Sequence, residues 1–336
     1  MRGMNMRILA NLPEGFFQYP ALKDSFQRLR NRGELRLTSH NLTEEILPDL
    51  RWADAVIMWS WPELTEDLLA SATRLKFVGH LDVTQRAART ELAHGLAVSV
   101  SRGGFSPAVA EMSLALILNC LRRVSHYHGQ MRSGEERWVD RFPDDIDPSE
   151  RELTGARVGV IGFGGVGKRL ASLLKPFDCE LRGYDPYVSE EKMGEYAVSK
   201  TSLHSLLANS EIVILCAASN SGTKRLIGEE EIELLSAGSL FVNVARAALV
   251  DTDALIRRLE RGDMTVALDV FDMEPLDRQS RLRSLPNAYL TPHRAGGICA
   301  SVVRIVNWLV DDFEAYLDGM PRSHTLEDWM LNGLDL

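Results

Sequence analysis

The stretch from Arg157 to Asp185, RVGVIGFGGVGKRLASLLKPFDCELRGYD, constrains the fold of this chain more than any other. The apolar run Val158 to Ile161 is short and β-branched, as a buried strand is, and it ends in Gly162, Gly164 and Gly167 at the spacing G-x-G-x-x-G. Leu170, Leu173 and Leu174 then recur at i, i+3 and i+4, which predicts a helix. Cys179 to Tyr184 predicts a second strand that closes on Asp185. In such a βαβ unit Gly162 makes the tight turn, Gly164 lets backbone approach a pyrophosphate and Gly167 lets helix and strand pack closely. Gly165 and Val166 complete the turn at the helix N-terminus, where a pyrophosphate would sit. Asp185, 18 residues beyond Gly167, arrives where a carboxylate meets an adenosine ribose hydroxyl. The bland alternative is an ordinary βα turn in a ligand-free sheet. Strand, helix and acid in sequence favour a dinucleotide site over it.

With 336 residues, 45% of them apolar, the chain is long enough for about two domains with substantial cores. Its net charge of −9 and pI near 5.5 argue against a surface built for nucleic-acid phosphates. Cys120, Cys179, Cys216 and Cys299 are far apart, form no C-x-x-C pair and read as thiols of a reducing compartment, with no metal site among them. No uncharged apolar run reaches the length of a membrane span and no signal-like segment opens the chain, so the expected location is cytoplasmic, without membrane partners.

Residues 6 to 104 alternate strand-like and helix-like pieces. Strands are predicted at Met6 to Asn11, Glu34 to Ser39, Ala55 to Trp59, Leu75 to Gly79 and Ala97 to Val100. Helices are predicted between them, one with Thr43 as N-cap. Ligands lie at the carboxyl ends of the strands in parallel sheets, so the loops after Asn11, Trp59, Gly79 and Val100 are candidates to line a cleft. Ser106 to Arg123 predicts a long apolar helix that bridges domains or packs at a subunit interface, and Ser133 to Arg151 a polar excursion. After Asp185 the alternation resumes through strands at Glu211 to Ala217, Ser239 to Val244, Thr265 to Val270 and Tyr289 to Leu290. A last helix, Ala300 to Leu317, is expected to return to the first domain.

Three polar positions follow strands of the second half: Arg246 in NVARAALV, Asp269 and Glu274 in ALDVFDMEP, and His293 in LTPHRAGG. Each alone reads most simply as a solvated or salt-bridged side chain. Together, beside a dinucleotide site, they supply what hydride transfer to a 2-oxo acid needs. Arg offers paired donors to a carboxylate, His moves a proton near neutral pH, and a carboxylate beside that His favours its charged form and holds its orientation.

At these residues the chain resembles the D-isomer-specific 2-hydroxyacid dehydrogenase family. VGVIGFGGVG, Tyr184-Asp185-Pro186, Leu226-Ile227-Gly228, FVNVAR with ALVD, ALDVF with Glu274-Pro275, Pro286-Asn287 and LTPH fall in the family's order. The resemblance implies an α/β protein of two doubly wound parallel-sheet domains, with a Rossmann cofactor domain (106-297) inserted into a flavodoxin-like substrate domain (1-105 plus 298-336). It implies NAD(H) as cofactor, a small 2-oxo or 2-hydroxy acid as substrate and a homodimer formed through the cofactor domain. Arg246 would bind the substrate, Glu274 would pair with His293, and His293 would be the acid/base. Gly79 and His80 would belong to the substrate loop. The cofactor would meet the glycine turn, Asp185, Thr223, Val244, Ala245, Arg246, Asp269, His293 and Gly296.

Several positions depart from the family pattern. Ala247 replaces a glycine after Arg246, the glycine-rich substrate loop is reduced to Gly79-His80-Leu81-Asp82, Val100 and Ala218 replace a common asparagine and proline, and Arg294 adds a cation after His293. Besides the dehydrogenase, two other readings share the scaffold: a dinucleotide-sensing, corepressor-like binding protein, and an enzyme that oxidises another small anion such as formate or phosphite.

Overall fold

In a computed structural model, residues 6–220 and 222–326 are described. They divide into two compact units. Unit 1 takes the described residues up to Phe105 together with those from Cys299 onward, and unit 2 is Ser106–Ile298. The second crossing thus falls one residue after the expected limit. The outer limits at residues 1 and 336 lie outside the described residues.

Unit 1 is a five-stranded parallel sheet of β1 (Met6–Asn11), β2 (Gly33–Thr38), β3 (Ala55–Met58), β4 (Phe77–His80) and β5 (Ala97–Val100), in the order β2-β1-β3-β4-β5. That is the flavodoxin-like arrangement. β3 and β4 are buried along their whole length, which is why they read as continuous apolar runs and not as alternating ones. Thr65 and Thr84 cap their helices, each accepting a hydrogen bond from the amide three residues on. Thr43 is not a cap: it is the first helical residue, Leu42 takes the cap position, and the Glu45 carboxylate accepts the Leu42 amide instead. The final helix, Cys299–Asp318, belongs to this unit and buries Val306, Leu309, Val310 and Phe313 against Ile8, Ile57 and Phe77. Past it the backbone returns beside β5, where Val100 N donates to His324 O and Leu326 N to Val98 O, both at 2.9 Å.

Unit 2 is a seven-stranded parallel sheet of β6 (Arg157–Ile161), β7 (Glu180–Tyr184), β8 (Val198–Lys200), β9 (Ile212–Leu215), β10 (Leu240–Asn243), β11 (Thr265–Leu268) and β12 (Ala288–Leu290). Its order, β12-β11-β10-β9-β6-β7-β8, reverses direction between β6 and β9. The doubly wound expectation holds for both units, and β8 and a short helix at Glu190–Gly194 are additions to it. The long apolar helix ends at Leu121, two residues short of the predicted Arg123, which takes a φ of 51° before a separate helix Val124–Ser133. Arg102–Leu121 is long and apolar enough to cross a membrane by composition alone. Its apolarity has a use here, because Leu116, Ile117 and Leu121 lie in the same core as Leu170 and Leu174 of helix Gly165–Leu174.

Candidate active site

The glycine turn is built as its spacing requires. Gly162 has a φ of 89°, and a Cβ on it would lie 2.4 Å from the Ala217 backbone. A Cβ on Gly167 would lie 2.4 Å from Gly162 O, so only glycine lets the helix approach the strand this closely. Gly164, at the N-cap of helix Gly165–Leu174, faces open space. Asp185 holds the turn from the end of β7: one carboxylate oxygen accepts Phe163 N at 2.8 Å and the other accepts Tyr187 N at 2.9 Å. Each oxygen has a second lone pair for a ribose hydroxyl. Open space at Gly164, free helix N-terminal amides and an anchored acid fit a dinucleotide. Thr223 closes a nearby turn, accepting from Asn220 N and donating to Ala218 O.

Arg246, Glu274 and His293 follow β10, β11 and β12, three neighbouring strands, so the sheet brings their loops to one end of unit 2. Val244 and Ala245 are buried. Asn243 fixes this turn by accepting from Ala245 N at 3.0 Å and donating to Arg246 O at 3.2 Å. The exposed Arg246 uses Nη1 on Ala245 O at 2.7 Å and keeps its other donors.

Glu274 Oε2 lies 2.6 Å from His293 Nδ1, and its Oε1 accepts Phe271 N at 3.0 Å. Burial pushes the Glu274 carboxyl up, but the hydrogen bonds from His293 and Phe271, with the charges of His293 and Arg246, outweigh it and hold the group below its ordinary value. His293 has a φ of 52°, a left-handed conformation uncommon outside glycine. The turn that holds it is anchored on Asp269, which is fully buried: Oδ1 accepts from Thr291 Oγ1 at 2.6 Å and Arg294 N at 2.8 Å, and Oδ2 from Ala295 N at 2.8 Å. Asp269 thus acts first on the His293 turn, a duty the sequence reading did not foresee. Gly296 continues this turn through its carbonyl, which accepts Ile298 N.

Gly79 and His80 lie in unit 1, on β4. The His80 ring is buried, with Nε2 at 2.8 Å from the fully buried Glu91 Oε1. The ring is therefore turned inward and engaged by Glu91, where the resemblance placed His80 in the substrate loop. The Leu81 amide is also engaged, donating to Trp59 O at 2.9 Å. Asn243, Thr291 and Glu91 were not singled out from the sequence, although each stands in or beside a segment that was. Burial pushes the Cys120 and Cys216 thiols up to about 12, which removes them as nucleophiles near neutral pH. Among the described residues no group of three or more His, Cys, Asp or Glu side chains could hold a metal ion.

Residues 114–295 match the family model described as D-isomer specific 2-hydroxyacid dehydrogenase, NAD binding domain. A putative 2-hydroxyacid dehydrogenase, YoaD, of Bacillus subtilis is 34% identical over 70% of this chain and 68% of its own length. A glyoxylate reductase of Aeropyrum pernix is 32% identical over 82% of this chain and 83% of its own. A D-3-phosphoglycerate dehydrogenase of Methanocaldococcus jannaschii is 29% identical, and the match spans only 52% of its length. Among solved structures, the PH0520 protein of Pyrococcus horikoshii superposes with a TM-score of 0.79 at 25% identity, over 98% of this chain and 97% of the other. The chain therefore belongs to the D-isomer specific 2-hydroxyacid dehydrogenases, oxidoreductases that use NAD(H).

Proposed function

We propose that the protein interconverts a 2-oxo acid and its D-2-hydroxy acid, with His293 as acid/base, Glu274 as its partner and Arg246 holding the substrate carboxylate. The observation that carries this reading is the 2.6 Å contact between Glu274 and His293, beside Arg246 on the loops of adjacent strands. Glu274 occupies Nδ1, so Nε2 is the nitrogen that delivers a proton to the carbonyl oxygen in reduction and takes it back in oxidation. Arg246 fixes the carboxylate with paired donors and so orients the carbonyl carbon. NADH, when bound, supplies the hydride.

The cofactor reading rests on the glycine turn and Asp185, with Thr223, Val244, Ala245, Asp269 and Gly296 on the neighbouring turns. For assembly we infer a homodimer through unit 2, supported by the exposed Trp138, Val139 and Phe142 that follow helix Val124–Ser133. The free cysteines suit a cytoplasmic location.

The test is NADH oxidation against a panel of 2-oxo acids, with chiral analysis of the product. Rapid turnover to the D-isomer supports the reading. Tight NADH binding with slow turnover of every acid would mark a sensor instead.

A further inference from the structure

Within unit 2, a cavity of about 400 Å³ lies beneath the segment 271–282, which follows β11 and carries Glu274. Its wall is apolar. Val250, Leu255 and Ile256 of helix Thr252–Leu259, Leu268 at the end of β11 and Leu282 line it, and all five side chains are themselves buried. A volume of this size with apolar walls and few polar groups suits a small molecule with a hydrocarbon ring.

The segment above the cavity is tied at both ends. Phe271 N donates to Glu274 Oε1 at 3.0 Å, while Arg283 donates to Asp277 O and Leu276 O at 2.8 Å each. Between Leu268 and Arg281 the backbone forms no helix or strand, so these bonds fix its path.

The charges at the mouth are unequal. Arg281 lines the cavity but is ion-paired with Glu260, and Arg283 stands beside Asp277. Asp272 also lines the cavity, is exposed, and has no side-chain partner among the described residues. One uncompensated carboxylate above an apolar interior favours a cation and repels an anion. The same lining reaches the catalytic segments: it includes Asn243, which holds the Arg246 turn through Arg246 O, and Phe271, whose amide binds Glu274.

We propose that this cavity binds a small aromatic amine, with the ring inside and the ammonium at Asp272, and that its occupancy lowers turnover through the segments that carry Arg246 and Glu274. The effect on turnover rests on the reaction proposed above. The binding does not.

The experiment titrates 2-phenylethylamine and phenylacetate, which share a ring and differ in charge, into the full chain with NADH, followed by calorimetry. The amine is expected to bind roughly tenfold more tightly, because an exposed ion pair gains little and the like charge costs about as much. Asp272→Asn should narrow that ratio to about twofold. Leu276→Trp, at a half-buried position of the lining, should fill the cavity and abolish binding of both; should it fail to fold, Asp272→Asn decides alone, since that side chain is exposed. With the 2-oxo acid that is turned over fastest, saturating amine should lower kcat about fivefold and leave KM for the acid unchanged. Equal binding of the two probes, or a ratio that Asp272→Asn leaves intact, overturns the inference. Competition with the 2-oxo acid also overturns it, by making the cavity part of the substrate site. Binding as expected with unchanged kcat overturns the effect on turnover and supports the site. If no 2-oxo acid is turned over, the proposed reaction fails while the calorimetric ratio still decides the site.

Discussion

Glu274 and His293 form a 2.6 Å hydrogen bond across two loops while His293 holds a φ of 52°. The imidazole is therefore fixed at both ends, by its strained backbone and by a carboxylate on Nδ1. Glu274→Gln keeps the shape and removes the charge, so kcat should fall about 10- to 100-fold while the NADH dissociation constant changes little. His293→Asn should remove most turnover in both directions and still bind NADH.

The same pair sets a pH expectation. Because the folded state holds the Glu274 carboxyl below the ordinary value of 4.5, its charge and the pairing are complete above that value and are lost only as pH falls through the lower folded one. Reduction by the unmodified enzyme should thus show an acid-side loss confined to pH below 4.5. The profile of Glu274→Gln should lack that step. An identical acid limb in both proteins would detach the limb from Glu274.

Arg246→Lys keeps a cation but loses the planar, paired donors. A charge-assisted hydrogen bond contributes about 1.5–3 kcal/mol, so kcat/KM for the 2-oxo acid should fall on the order of 10- to 100-fold. NADH binding should hardly move. Near-normal activity would mean that the carboxylate is held by another cation, such as Arg294 directly after His293.

Asp185 accepts two backbone amides, and a 2′-phosphate beside it would meet a second negative charge with no arginine at Pro186 or Tyr187 to offset it. NADH should be preferred to NADPH by more than about tenfold in kcat/KM. Asp185→Asn should narrow that preference, mostly through the NADPH KM. An unmodified enzyme that prefers NADPH would remove Asp185 as the selecting residue.

Much of this was legible in the chain. The buried strands β3, β4, β6 and β9 are short apolar runs, the glycine spacing announces the turn at Gly162, and Thr65, Thr84, Ser202 and Asp251 stand where caps are wanted. Arg246, Glu274 and His293 could be named because each follows a strand, and the chemistry of hydride transfer suggested roles that the family resemblance then assigned residue by residue. What escaped depends on packing between segments. β8 is three residues with one fully buried side chain, too short for a period to show. His80 meets Glu91 only because helix Gln85–Ala93 folds back along β4, a contact that no spacing along one element encodes. Asp269 reads as a loop acid until Thr291, Arg294 and Ala295 converge on it.

The His80 and Glu91 pair carries a stability expectation. Both side chains are buried, and His80 Nδ1 and Glu91 Oε2 already lack protein partners. Glu91→Ala orphans the remaining ring nitrogen as well, which costs about 1–3 kcal/mol in addition to the cavity it opens. Glu91→Gln can still pair and should cost much less. Urea midpoints order the three proteins, and an Ala variant as stable as the parent would show that the pair contributes nothing.

Asp269 offers the clearest separation of scaffold from chemistry. Its two oxygens accept the Thr291 hydroxyl and the amides of Arg294 and Ala295, which fold the backbone around His293. Asp269→Asn is almost the same size, yet one oxygen becomes an NH2 that cannot accept from a backbone donor. An orphaned amide in a buried site costs about 1–3 kcal/mol, and the turn is expected to relax by releasing the left-handed His293. Stability should drop by that amount and kcat should drop with it, with Glu274 and His293 both still present. Raising the pH cannot restore the activity, since the amide of Asn has no proton to lose near neutrality. If the variant lost activity at unchanged stability, Asp269 would act on the cofactor or substrate directly. If it lost stability at unchanged kcat, the turn would hold His293 without it.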